Sequence, residues 1–192
     1  MDYTQGTEEE KIRRAKKMML WFGIISLFMS FAGLTSAYIV SMSRPDWIHD
    51  LVVPPAFTVS LVLIILSSIT IHFAKKSVLK EKHRKGMFFF LLTLALGLAF
   101  VWFQLKGFNE IIGIFGYNPT GDTSNITYTF IFLIAVVHLA HIAAALICLL
   151  VVIYNHYKQR YKNGKILGIE LAVTFWHFVD ILWIYLFFFF NY

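Results

Sequence analysis

Three scarcities narrow the reading before any motif is considered. The 192-residue chain has one cysteine, four prolines and only 15% charged residues. A lone Cys148 can close no internal disulfide, which excludes a disulfide-stapled scaffold, and its place in an apolar run says nothing firm about redox compartment. No CxxC, no HExxH and no dense set of histidine boxes is present, so the common zinc and haem attachment patterns are missing. The shortage of charge excludes an ordinary water-soluble fold of this size. Hydrophobic residues make up 58% of the chain at a mean hydropathy of +0.68, and too little polar surface remains to cover a soluble core.

What is present is five apolar runs in succession: Met18–Met42, Ala56–Phe73 after the breaker pair Pro54-Pro55, Met87–Leu105, Tyr128–Ile153 and Leu167–Tyr192. Each reaches the roughly 18–20 residues that a helix needs to cross about 30 Å of hydrocarbon. Apolar residues run continuously and do not alternate, so the spanning elements are helices and not barrel strands. The expected fold is an all-α integral membrane protein, a bundle of five transmembrane helices. Residues 1–17 form a polar N-terminal segment and residues 18–192 a single transmembrane domain. The first run is too long for a signal-peptide core and no small-residue cleavage site follows it, so it is expected to be a retained span.

The 17 basic residues fix an orientation. All but Arg44 and Lys106 fall in three places: the N-terminal segment, the loop between spans two and three, and the loop between spans four and five. This positive-inside pattern puts the N-terminus on the cytoplasmic, or equivalent positive, side and the C-terminus on the other, in a multi-pass protein. The net charge of +6 therefore reflects topology and anionic lipid headgroups, not nucleic acid. The longest outside loop, roughly 106–127, carries Gly107, Gly113, Gly116, Pro119 and Gly121, and its stretch 111–115 is apolar enough to lie on the membrane surface. Asn125-Ile126-Thr127 matches a glycosylation acceptor, a short and common pattern.

Polar residues inside the spans carry the chemistry, because ionisable groups at membrane depth need a partner or a task. Span four has His138 and His141; span five has Glu170, His177 and Asp180. Each pair, His138/His141 and His177/Asp180, is spaced i, i+3 and shares a helix face. Glu170 sits about two turns nearer the inner surface than His177. The expected arrangement is a polar seam between spans four and five, with Asp180 hydrogen-bonded to a histidine or tryptophan. Such a seam can be structural, a metal or haem site, or a proton relay. His72 is expected to snorkel at the inner interface. Trp176 and Trp183 lie too deep for an interface belt and read as packing residues whose indole N–H needs a partner. In span one, Gly33, Ala37 and Ser41 form a row of small residues, with Ser26 and Ser30 in a second row, of the kind that lets helices approach closely.

With these residues in view, the chain resembles subunit III of the haem–copper oxidases. Trp176-His177-Phe178-Val179-Asp180, followed by Trp183, is similar to that family's WHFVD…W signature. His138-Leu139-Ala140-His141 is similar to its HxxH helix. Glu170 matches the glutamate before the signature, Phe31-Ala32-Gly33 with Ala37-Tyr38 the FAG…AY stretch, and Gln104 a helix-ending glutamine. The resemblance covers the chain from span one onward and fits the short five-helix bacterial form, which lacks two N-terminal helices of the mitochondrial form. Two positions depart from it. Leu27 stands where many members carry a glutamate, and a second family glutamate is replaced around Gly107, although Glu110 follows. A carboxylate-dependent role at the first position is not carried over.

The resemblance implies a non-redox core subunit of a terminal oxidase that reduces oxygen to water coupled to proton translocation. It would pack on subunit I, meet subunit II, hold phospholipid and support proton uptake. Haem and copper would reside in the partner subunits, with no catalytic residue, metal or cofactor on this chain. The competing classes are a small proton-coupled secondary transporter, which would call for a broken helix or an inverted repeat that the sequence lacks, and an intramembrane di-haem cytochrome.

Overall fold

A computed structural model describes residues 7–48, 54–116, 125–161 and 166–191. Among these residues every regular element is a helix: α1 (Glu8–Ser41), α2 (Pro55–Leu79), α3 (His83–Phe115), α4 (Ile126–Tyr157) and α5 (Leu167–Phe190). All five are long and apolar enough to cross a membrane.

The helix ends follow local chemistry. Thr7 and Glu10 form a reciprocal capping box, so the polar segment before the first apolar run is already helical and continuous with it. Three glutamates in that first turn complement the helix dipole. Pro55 occupies the first position of α2, where its missing N–H has no cost. Glu81, at φ 55°, reverses the chain in a tight turn between α2 and α3.

α3 differs from expectation. The stretch 111–115 is not part of a loop; it continues α3 to Phe115. No proline falls between Leu105 and Phe115, and Ile111 buries itself in the bundle core. The helix ends at Gly116, whose φ of +66° is the left-handed conformation that glycine adopts without strain. Pro119, Gly121, Lys162 and Lys165 lie outside the described residues.

Helices α2 to α5 form a ring. α2 and α3 pack as an antiparallel hairpin, α3 packs on α4, α4 on α5, and α5 returns to α2. α1 touches only α4 and α5 and lies across their seam from outside. Only 17% of its apolar window is buried, against 39% for α5, so α1 is the peripheral helix and α5 the central one. The buried positions of α5 (Ile169, Val173, Trp176, Val179, Asp180, Leu182, Trp183, Leu186 and Phe190) follow steps of three and four residues, widened in the middle by the adjacent pairs 179/180 and 182/183, the pattern of one broad helix face. Large apolar side chains such as Phe22, Trp102 and Phe188 point away from the bundle, as a hydrocarbon solvent permits.

Close approach between helices depends on glycines of α3. A Cβ at Gly97 would meet the Trp176 ring at 2.9 Å and Leu146 at 3.0 Å; one at Gly107 would meet the Phe57 ring at 2.5 Å. Gly33 has nothing within 4 Å, so the small-residue row of α1 packs on no other helix of this chain.

Candidate functional site

α5 carries its polar groups toward two different neighbours. Near its N-terminus Glu170 accepts Lys17 Nζ at 2.7 Å, and both of its carboxylate oxygens lie 3.3 Å from Arg13 Nη2. These cations belong to the N-terminal turns of α1, so Glu170 ties the peripheral helix to the central one. The carboxylate is only 20% exposed while Arg13 and Lys17 extend toward solvent, as long basic side chains do at an interface.

One turn and more above, α5 turns to α2. Trp176 is 1% exposed and donates its indole N–H to Ser67 Oγ at 3.1 Å; that hydroxyl donates in turn to Ile64 O at 2.8 Å. Ser68 Oγ lies 2.6 Å from His177 Nδ1, a bond that either atom can donate depending on the histidine tautomer. Asp180 is 1% exposed. The hydroxyls of Ser67 and Ser68 are within electrostatic reach of its carboxyl, yet neither closes a well-formed hydrogen bond on it: Ser67 gives its proton to Ile64 O while it accepts from Trp176, and Ser68 is paired with His177.

The α4 histidines stand apart from this arrangement. His138 is buried, with both ring nitrogens unpartnered among the described residues; it stacks on Trp183 at 5.2 Å and 24° and meets Phe31 and Phe100 edge-on. His141 Nδ1 donates to Val137 O at 2.7 Å, and its ring packs on Phe31 of α1. Trp183 Nε1 is likewise buried without a partner; its ring fills the centre of the bundle against Phe57, Phe100 and His138.

The expected single seam between spans four and five is therefore corrected. No hydrogen bond joins His138 or His141 to His177 or Asp180 among the described residues, and Asp180 bonds to neither a histidine nor a tryptophan. The face of α5 that holds residues 176, 177 and 180 is turned to the serines of α2. Only Trp183 meets His138, and by ring stacking. No group of three His, Cys, Asp or Glu gathers among the described residues.

Of the remaining predicted residues, Gln104 and Tyr38 pack inside the bundle. Gln104 donates to Ser60 Oγ at 2.8 Å in a buried link between α3 and α2. Tyr38 packs edge-on against Trp47 at 4.8 Å and Phe189 at 5.1 Å, which closes the C-terminal ends of α1 and α5. Trp47 is buried there. Gly33 faces outward. His72 is exposed toward the C-terminal part of α2. Asn125 caps α4 by accepting from Thr127 N at 2.9 Å, and buried Thr127 accepts from Ile48 N, so this sequon serves as a helix cap that also holds the α1–α2 connection.

Sequence reasoning missed the α2 partners. Ser60 and Ser67 are seven residues apart and share one face, which was the available signal. It also missed the inner pair in which His156 Nε2 bonds His83 O at 3.1 Å with the two rings 5.6 Å apart.

Comparison with known proteins places this arrangement in context. The sequence model of "Cytochrome c oxidase subunit III" matches residues 2–192. The chain is similar to a "Probable quinol oxidase subunit 3" of Staphylococcus aureus (strain USA300), 28% identical over 179 residues covering 89% of this chain and 85% of the relative. It is also similar to the "Cytochrome bo(3) ubiquinol oxidase subunit 3" of Buchnera aphidicola, 27% identical over 190 residues covering 96% and 90% of the two chains.

Proposed function

This chain belongs to the cytochrome c oxidase subunit III family, and from that premise we propose that it is a non-redox accessory subunit of a terminal respiratory oxidase. The oxidase reduces oxygen to water coupled to proton translocation, and its haem and copper reside in neighbouring subunits, chiefly subunit I and also subunit II. This chain packs against them, prolongs their working life, supports proton uptake and holds phospholipid at its outward apolar faces. It lies in a bacterial cytoplasmic membrane with its N-terminus and the 80–85 turn inside and its C-terminus outside, supported by the distribution of basic residues.

The observation that carries this reading is the family match over residues 2–192, read together with what the WHFVD side chains do. Trp176 and His177 spend their hydrogen bonds on α2 and Trp183 its ring on α4, which is the work of a scaffold. A small proton-coupled transporter is not favoured: the family is one of oxidase subunits, and none of the five helices is broken.

Deletion of the chain from its host tests the reading. The remaining oxidase should keep its haem spectrum while its assembled yield or its number of turnovers before inactivation falls. An unchanged oxidase, in yield and in lifetime, would overturn it.

A further inference from the structure

The outer surface of the bundle holds one groove whose shape and chemistry point to a specific occupant. It runs between α2 and α5 with a volume of about 380 Å³ and opens sideways toward the membrane. From α2 it is lined by Ile65, Ser68, Ile69, His72 and Phe73. From α5 it is lined by His177, Asp180, Ile181 and Ile184. Residues 65, 68, 69 and 72 of α2 and all four of α5 follow the spacing i, i+3, i+4, i+7, so each helix presents a straight stripe, which Phe73 widens on α2. Two such stripes side by side form the seat into which the ridge of a third helix packs.

The polar groups of the groove lie deep. Ser68 stands about 16 Å of helix above Leu79, and His177 about 15 Å above Leu167, which is near the middle of a hydrocarbon layer about 30 Å thick. His177 spends Nδ1 on Ser68, and Nε2 has no partner among the described residues. Among the described residues Asp180 beside it closes no well-formed hydrogen bond, with only the Ser67 and Ser68 hydroxyls in reach. Lipid chains offer no hydrogen bond at this depth, and headgroups sit at the two surfaces. An unpaired polar group in hydrocarbon is costly, so whatever covers the groove brings a polar side chain to that level.

We propose that the α2–α5 groove is the seat of a membrane-spanning helix from a different subunit of the oxidase, which places a hydroxyl, amide or indole group against His177 Nε2 near mid-membrane. The proposal rests on the accessory-subunit reading above and adds to it the docking face and the polar contact at its centre.

The test uses the assembled complex in native membranes. A photoreactive phenylalanine analogue is introduced at Ile69 and, separately, at Ile181, the latter 64% exposed on the groove rim. Phe22 on α1 and Val151 on α4, both exposed on other faces, are comparison positions. After irradiation, the two groove positions should give an adduct with one and the same other subunit, mapped by mass spectrometry to a membrane-spanning segment, at several-fold higher yield than at Val151. A second variant, Ile69→Trp, fills the groove without touching a polar group. It should lower the amount of other subunits recovered with the chain several-fold while leaving the chain's own level in the membrane unchanged. Groove adducts confined to lipid, to a lipid-soluble small molecule or to a second copy of this chain, or full recovery with Ile69→Trp, would overturn the proposal. Failure of the unaltered chain to co-purify with any oxidase subunit would instead overturn the reading on which it rests.

Discussion

Ser67 on α2 receives the indole N–H of Trp176 on α5 across 3.1 Å, in a site where both residues are almost fully buried. One residue along, Ser68 and His177 make the parallel contact at 2.6 Å, with the histidine half-buried at the rim. Burial decides which contact matters more. Ser67→Ala leaves a buried donor unpaired, at a cost of about 1–3 kcal/mol. Ser68→Ala leaves a group that can find another partner, at about 1 kcal/mol or less. The thermal midpoint of the detergent-solubilised chain should fall further for Ser67→Ala than for Ser68→Ala; the reverse order would show that the Trp176 link is not the principal polar tie between α2 and α5.

Glycine substitutions separate the inner contacts from the outward face. Gly97→Ala presses on Trp176 and Leu146, and Gly107→Ala on a Phe57 ring already wedged against Phe108 and Trp183. Overpacking of this kind costs about 1–3 kcal/mol. Gly33→Ala meets nothing. The expected result is reduced thermal stability for the first two and none for the third, measured on the isolated chain. Equal effects at all three positions would contradict the packing described.

Glu170 anchors α1 through Arg13 and Lys17. Because the cations reach toward solvent, the pairs contribute less than about 1 kcal/mol to global stability and weaken with salt. The effect is local. Glu170→Gln should raise amide hydrogen exchange across residues 8–17 while leaving α3 and α4 unchanged. Unaltered exchange in 8–17 would show that another contact holds α1.

An apolar carbodiimide tests the placement of acidic groups. Span one, Met18–Met42, contains no Asp or Glu, and Leu27 occupies the position of the family glutamate. Peptide mapping after labelling should find no adduct in 18–42, and any intramembrane adduct should fall on α5. Modification within 18–42 would contradict the placement of that span.

Much of this architecture was legible in the sequence because a bilayer imposes one demand, a long apolar run, and five such runs meet it. The proline pair 54–55 marked the start of α2, and the depth of Trp176 predicted that its N–H needs a partner. The identity of that partner was hidden. Ser67 and Ser68 look like ordinary small residues of a membrane helix until α5 is placed beside them. Spacing within span five showed which polar groups share a face, but not whether that face meets α4 or α2, since helix order around a bundle leaves no local trace. The end of α3 was misjudged for a related reason. Gly107 and Gly113 read as loop residues, whereas Gly107 is where Phe57 packs against the helix and only Gly116 takes a left-handed turn.

Topology follows from the same bilayer logic. Reporter fusions at Lys80 should report a cytoplasmic location and fusions at Gly116 an external one. An external signal at Lys80 would contradict both the five-span order and its orientation.

The central claim, that this chain is an accessory subunit which works beside the redox centres and not around them, meets its most direct test in one measurement. The tagged chain is purified from gently solubilised membranes, its companions are identified, and iron and copper are quantified per chain before and after it is separated, still folded, from them. The account predicts stoichiometric haem-bearing oxidase subunits in the complex and no stoichiometric metal in the separated chain. A chain that purifies alone, or one that retains stoichiometric iron, copper or zinc after separation, would contradict it.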